Sequence, residues 1–339
     1  MFLSIIIVNY DTHDLVKDCV DSIDRFPLDC DFEIVLINNG SKRDKARDFV
    51  GMHERLRAFE LKVNSGFGQA NNLGMRKARG DYFLLLNSDT YFVDDSLQKA
   101  VTFARSNPEV DIFTSHLEQP DGTTQACYEL VSPKPVWEAV HKGLGDNALV
   151  EKFFRGFWSR LSPPLTERWL SGCYLFLKRE VFETTGGFDP DFFLYYEEVD
   201  WFCKRINPAG FVSTVCPETR LIHLGGASQL QNVRAEQIHL SGYLYNYKRS
   251  RWAFAALCAT RFLNILTRFA CMPFAPDWWT SILNIQKVYL RCLRQALLEV
   301  FSYSSQFGAR PAPLMTADYR KSYSWSRLTE SALIEADSG

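Results

Sequence analysis

Three short apolar runs, Ser4–Val8, Glu33–Ile37 and Tyr82–Leu86, constrain the fold of this chain more than any other feature. Apolar side chains follow one another without alternation, so both faces of each run must be buried. That is the pattern of parallel strands in a sheet covered on both sides. Parallel neighbours need crossovers, and helical patterns fill the gaps. Leu15, Val16, Cys19, Val20 and Ile23 make one apolar stripe, and further helices are expected over Asp44–His53 and Gln69–Ala78. The succession βαβα predicts an α/β fold, Rossmann-like, with a mostly parallel sheet and helices on both faces. Ligands in such sheets sit beyond the carboxyl ends of the strands. Those ends carry Asn9-Tyr10-Asp11, Asn38-Asn39-Gly40-Ser41 and Asn87-Ser88-Asp89-Thr90.

Composition narrows the class. A chain of 339 residues that is 46% hydrophobic can build a full-sized core. A net charge of −2 argues against a general nucleic-acid binder. None of the nine cysteines is spaced as CxxC, so they read as reduced, buried thiols of a cytosolic protein. The apolar start Met1–Val8 lacks a basic lead and a cleavage site and is too short to span a bilayer. The expectation is a cytoplasmic protein.

Further on, a helix is expected over Ser96–Ser106 and a strand over Val110–Thr114. Residues 116–168, with several prolines and bulky aromatics including Trp137, are expected to be irregular and to border an acceptor site. Order should return with a strand over Gly172–Lys178 and a helix over Glu197–Ile206. The tail from about residue 230 differs in character. From Lys248 to Arg294 it holds eight basic residues and one acid. Arg261, Asn264 and Arg268 form a polar stripe on one helix. A second helix, Trp278–Phe301, carries Lys287, Arg291 and Arg294. The charges exclude a membrane span. Two readings stay open for these helices: they lie on an anionic membrane surface, or they pack on the catalytic domain or a second subunit.

Four motifs could carry chemistry. Asp89, just beyond a buried strand, can offer oxygen to a hard divalent cation bridging to a diphosphate, with Asn87 assisting; the same triplet also suits a plain turn. Glu197, Glu198 and Asp200 follow an aromatic run, and one of them could act as a general base; acids also favour the first turn of a helix. His223, before Gly225-Gly226, could be a metal ligand or structural. The loop Asn64–Gly74 is glycine-rich and opens a helix, so its backbone could approach a nucleotide. Asn71 replaces the third glycine of a dinucleotide fingerprint, and the loop does not follow the first strand, which disfavours a dehydrogenase.

Taken in order, Ser4–Tyr10, Asn38–Ser41, Asn64–Gly74, Asn87–Thr90, Gly172–Lys178, Gly186–Asp189, Glu197–Trp201 and His223–Ser228 resemble the family-2 glycosyltransferases of GT-A fold. The likeness is greatest to the bacterial rhamnosyltransferase-like branch that builds cell-surface polysaccharide such as lipopolysaccharide. It covers about residues 3–230 and implies a catalytic domain over 1–230, with 231–339 as a helical C-terminal extension that touches membrane or oligomerises.

The resemblance implies roles. Asp89 would hold Mn2+ or Mg2+, and His223 would complete that site; a nitrogen ligand suits manganese better. Glu198 would be the general base, where many relatives have aspartate. Glu197 and Asp200 would orient the site or the acceptor. Asn38 stands where relatives have an aspartate that reads the base, and Tyr10 would border that base. Asn71, Asn72, Asn87 and Ser88 would contact the donor, and Trp201 or Trp137 would pack on a sugar face. The implied reaction is an inverting displacement from a dTDP- or UDP-sugar, rhamnose or another hexose, onto a hydroxyl of a cell-surface glycan or lipid-linked acceptor. It would take place on the inner face of the cytoplasmic membrane, with a homo-oligomer as one way to cover the apolar tail. The alternatives are a non-catalytic nucleotide-binding relative and a sugar nucleotidyltransferase. The latter should carry a basic glycine-rich loop after strand one, and Asn9-Tyr10-Asp11 is not one.

Overall fold

The computed structural model describes residues 1–144, 167–225, 231–271, 279–304, 316 and 333–336. Four parallel strands form the centre of a ten-stranded sheet: β3 (Leu56–Leu61), β2 (Phe32–Asn39), β1 (Leu3–Asn9) and β4 (Tyr82–Asn87). Beyond β4 the order continues through β10 (Tyr174–Lys178), β6 (Ile112–Glu118), β11 (Ser213–His223) and β5 (Thr90–Tyr91). β7 (Thr124–Gln125) hangs on β6, and β8 (Tyr128–Val131) pairs with β9 (Glu167–Leu170) in a small separate sheet.

The apolar runs bury both faces, as their lack of alternation demands. Ile5, Ile7, Ile34, Leu36 and Leu84 face α1 (His13–Asp24) and α3 (Ser96–Ser106). Ile6, Val35, Ile37, Phe83 and Leu85 face α2 (Phe67–Lys77) and the segment Trp201–Phe202. Each fully buried side chain of this kind contributes about 1.5–3 kcal/mol. The seat of α2 depends on one small residue. A Cβ on Gly74 would overlap Cγ2 of Ile6. Gly74→Ala gains about 1 kcal/mol of helix propensity but overpacks a sheet–helix contact, at about 1–3 kcal/mol. The expected outcome is a net loss of stability, read as a lower urea midpoint at unchanged slope.

The helix expected over Asp44–His53 shrinks to a single 3-10 turn, Ala46–Phe49. Side-chain carboxylates hold the amides of residues 42–46 in the loop that leads into this turn. Asp11 accepts from the N–H groups of Lys42 and Arg43 at 2.7 and 2.8 Å, Asp48 from Lys45 at 2.7 Å and Glu60 from Ala46. The chain then enters β3, which the apolar pattern did not reveal.

Residues 116–168 are more regular than expected where they are described. They form β7, β8 and α4 (Pro135–Leu144) before β9; residues 145–166 lie outside the described set. α5 (Arg179–Thr185) follows β10, and α6 (Glu197–Trp201) runs into a π-helical turn, Phe202–Ile206. Three long helices come next: α7 (Gln231–Arg249), α8 (Arg251–Cys271) and α9 (Trp279–Ser304). They share a core with the rest of the chain. Ala139 of α4, Phe192 and Val199 pack with Leu240, Leu244, Leu257, Tyr289 and Leu293.

The polar stripe of α8 points inward. Arg261 donates to the carbonyl of Lys142 at 3.1 Å, Asn264 to that of Gly143 at 3.2 Å, and Arg268 to Oδ1 of Asn264 at 2.9 Å. Arg261 and Asn264 thereby satisfy carbonyls at the end of α4, which have no partner within that helix, and Arg268 steadies Asn264. The inner, polar face of α8 thus packs on the end of α4. Finally, β12 (Leu333–Glu335) returns to the sheet and pairs antiparallel with β3, with Glu335 bound to Arg57 at 3.0 Å.

Candidate active site

The carboxyl ends of β1, β2 and β4 lie side by side, with Asn9 opposite Asn38 and Val8 opposite Asn87. Asn9 ties the loops together. Its Nδ2 donates to Asn38, Ser41 and Asp44, and its Oδ1 accepts from Thr12. Asp11 adopts a φ of 58°, a left-handed conformation that short polar residues tolerate. Its carboxylate is thereby aimed at the Lys42 and Arg43 amides. Tyr10 sits half-buried beside it.

Asp89 and His223, far apart in sequence, meet because β5 pairs antiparallel with the end of β11. His223 stands opposite Thr90, and the Leu224 amide donates to the Asp89 carbonyl at 2.9 Å. His223 Nε2 lies 3.5 Å from Asp89 Oδ1. Gln125 on β7, which sequence reasoning missed, sets the ring. Its Nε2 donates to the His223 carbonyl at 2.7 Å, which leaves Oε1 to accept from Nδ1–H, also at 2.7 Å. The remaining nitrogen, Nε2, is the one that faces the carboxylate. With its proton on Nδ1, the neutral imidazole presents the Nε2 lone pair beside a carboxylate oxygen, an arrangement that can take a cation.

Two residues before Asp89, the Asn87 side-chain oxygen is buried with no hydrogen-bond partner among the described residues. One carboxylate, one imidazole and an unpartnered amide oxygen fit a divalent cation. No group of three or more His, Cys, Asp or Glu side chains gathers among the described residues. The remaining coordination positions would fall to diphosphate oxygens and water. Gln125→Ala should free the imidazole to rotate and weaken Mn2+ binding about 10–100-fold. Calorimetry in the presence of a nucleoside diphosphate reads this; an unchanged affinity would remove Gln125 from the site.

The carboxylates of α6 are delivered by two consecutive left-handed residues, Tyr195 (φ 67°) and Tyr196 (φ 69°). Such strain in non-glycine residues costs about 1–3 kcal/mol each and clusters at functional sites. Gly66, at φ +85°, lets the Asn64–Gly74 loop close on this segment. A Cβ there would strike the Phe193 carbonyl, to which the Phe67 amide donates at 2.9 Å. The glycine of that loop thus serves approach to Phe193.

Glu198 is half-buried, with Oε2 enclosed and unpartnered among the described residues. Burial pushes its carboxyl up to about 7, against the pull of the Glu198 and Val199 amides. Burial, and next the charge of Glu198, raise Glu197 as well. Gly172 leaves space here, since a Cβ would come to 3.8 Å from the Glu198 side chain. The next residue, Cys173, links the two halves of the site. Its carbonyl accepts from the Asn87 amide at 3.0 Å. Burial pushes its thiol up to about 12, and negative charge on Asp89 and on Glu198 adds to the push. Glu129 of β8, also missed in the sequence, lies near enough to raise Glu198 further.

Several expected site residues are committed elsewhere. Asn38 has no exposed surface. Its Nδ2 donates to the Glu60 carboxylate at 3.0 and 3.1 Å and to the Asp44 carbonyl, while its Oδ1 accepts from Asn9 and Ser41. With both ends of the amide occupied, it does not read a base edge. An aspartate at 38 would set two carboxylates face to face, so the asparagine is explained by Glu60. Asn72 uses both ends of its amide on the Phe188 backbone, and Asn71 is buried with its Nδ2 on the Phe67 carbonyl. Neither reaches out to a nucleotide. Trp201 is fully buried, 4.5 Å from the Phe188 ring centroid and bonded to Thr185 at 2.7 Å, so it has no face left for a sugar. Asp200 is likewise buried and paired with Lys204 at 2.7 Å, which makes it structural and removes it from the acceptor. Ser88 stays at the rim, 3.1 Å from the Thr12 hydroxyl.

Comparison with known proteins shows the family. The O-antigen biosynthesis protein RfbC of Myxococcus xanthus is 30% identical over 261 residues, 74% of this chain and 19% of that protein. The N-acetylglucosaminyl-diphospho-decaprenol L-rhamnosyltransferase of Mycobacterium tuberculosis is 28% identical over 211 residues, 56% of this chain and 66% of that one. The chain thus spans between about a fifth and two thirds of the length of these relatives. Among solved structures, the mannosyltransferase PcManGT of Pyrobaculum calidifontis, in complex with GDP-Man and Mn2+, shares the fold with a TM-score of 0.51. The identity is 15%, over 87% of this chain and 86% of that one. The model of glycosyl transferase family 2 matches residues 4–201, a span that holds Asp89 and Glu198. The chain belongs to glycosyl transferase family 2.

Proposed function

We propose that this glycosyltransferase is metal-dependent and inverting, and that it moves a sugar from a nucleoside diphosphate to a hydroxyl of a cell-surface glycan or lipid-linked acceptor. The observation that carries this reading is the convergence of Asp89 on His223, with the enclosed carboxylate of Glu198 near enough, like Asp89, to act on the Cys173 thiol. A divalent cation held by Asp89 and His223, with Asn87 beside them, would neutralise charge on the leaving diphosphate. The chain's own residues do the rest. Glu198, ionised, accepts the proton of the acceptor hydroxyl as its oxygen attacks the anomeric carbon. Glu197, raised by burial and by the charge of Glu198, holds its proton above the usual carboxylate range and spares the pair a second charge. Gln125 holds the imidazole in register. Tyr10 and Ser88 line the donor side.

A mannosyltransferase of this fold binds GDP-Man with Mn2+, and a relative by sequence is named for L-rhamnosyl transfer. Both support a nucleotide-sugar donor, and the second favours a deoxyhexose. The test is calorimetric titration with UDP, dTDP and GDP, each with and without Mn2+. Binding of one of them that requires the metal supports the reading, and dTDP would favour a rhamnosyl donor. No binding to any of the three would overturn it in favour of a non-catalytic relative.

A further inference from the structure

The outward face of α8 is apolar along its whole length. Trp252, Ala255, Ala259, Phe262, Leu266 and Phe269 recur at alternating spacings of three and four, all exposed, with Leu263 beside them. Trp252 is 79% exposed, Phe262 50%, and Leu263 and Leu266 49% each. At 1.5 Å per residue the stripe runs for about 26 Å. Soluble surfaces seldom leave so long a run of large apolar side chains uncovered. The polar residues of the same helix are spent inward on the end of α4.

Charge decides the occupant. Arg251 heads the stripe, and Lys287 and Arg294 are exposed on the neighbouring α9, where Arg291 is paired with Glu236. Between Lys248 and Arg294 the only acid in the sequence is Asp277. Two copies meeting through this face would bring like charges together. A stripe of about 26 by 10 Å also offers far less than the roughly 800 Å² per partner of a stable dimer. An anionic lipid surface answers both features, taking the apolar side chains into its interfacial layer and pairing the cations with headgroups. Among the described residues no helix is long and apolar enough to cross a membrane, so a helix seated there would lie flat.

We propose that the outer face of α8 docks the protein on an anionic membrane, with the cations of α9 supplying the charge preference. Co-sedimentation with vesicles tests this on the full chain. The wild type should pellet with vesicles containing phosphatidylglycerol and stay in solution with phosphatidylcholine alone. Phe262→Gln combined with Leu266→Gln should lower the partition coefficient about tenfold or more. These side chains are exposed, so the melting temperature should not fall and loss of fold is told apart from loss of docking. Arg251→Gln with Lys287→Gln and Arg294→Gln should reduce the preference for anionic over neutral vesicles. Wild type that stays in solution with both vesicles would overturn the proposal, as would equal pelleting of the Phe262/Leu266 variant. A dimer seen by sedimentation velocity in wild type and lost in that variant would overturn it too, assigning the face to a second copy.

Discussion

Glu198→Gln should lower turnover by about 10²- to 10⁴-fold, the usual contribution of a positioned general base, while nucleoside diphosphate binding stays near wild type. The amide keeps the shape of the side chain and removes only its ability to take a proton. The pH profile gives a second, independent readout. Burial holds the carboxyl at about 7, so wild-type kcat/KM should rise with pH through a limb near that value as the base ionises, and the variant should lack the limb. Glu197 sits beside it and is raised too, so the two protons leave in separate steps that belong to the pair.

The same shift fixes the sign of a stability effect. A carboxyl raised on folding favours the native state below its unfolded value of 4.5, and that contribution is lost as pH climbs through about 7. Wild type should therefore lose stability between pH 4.5 and 8. Glu198→Gln should lose less, ending more stable at pH 8 by about 2–3 kcal/mol after allowance for the partial exposure of the side chain. Denaturant melts of both proteins across that range check it. Normal turnover in the variant would remove Glu198 from the chemistry, whatever the melts show.

Asp89→Ala should abolish the metal-dependent part of nucleotide binding. The substitution deletes one of the two ionisable side chains that converge on the cation position. Losing a residue that merely supports a ligand weakens metal sites about 10–100-fold, so losing the ligand itself should exceed about a hundredfold. Titrating a nucleoside diphosphate with Mn2+ and again with a chelator separates the terms. The variant should match chelated wild type under both conditions. A variant that still gains affinity from Mn2+ would place the metal away from Asp89.

The sequence showed the parts of the fold that are purely apolar. β1, β2 and β4 announce themselves because nothing polar interrupts them. β3 stayed hidden because Arg57 and Glu60 break its apolar run, and the structure shows why charges are tolerated there. Arg57 pairs with Glu33 and Glu335, and Glu60 serves Asn38 and Ala46. The Asp89–His223 pair was legible through the resemblance, while Gln125 was not, since a lone glutamine in a short hairpin carries no pattern. Asn38 was misread for a related reason: its partner, Glu60, is distant in sequence, and the residue type alone does not say which atoms are spent. The orientation of α8 was not legible, because amphipathicity tells that a helix has two faces, not which one meets protein. When Arg261 and Asn264 cap another helix, the polar side becomes the inner side.

The strand formed by Leu333–Glu335 has a consequence for how the protein comes off the ribosome. Arg57 waits for Glu335 across a separation of 278 residues. At 5–20 residues per second, roughly 15–55 s pass between the synthesis of one and the other. Until β12 is made the outer edge of β3 stays an unpaired strand, open to pairing with a neighbouring nascent chain. Among the described residues β12 is the strand that closes that edge, so one side of the sheet is sealed by a segment far along the chain from the strand it covers.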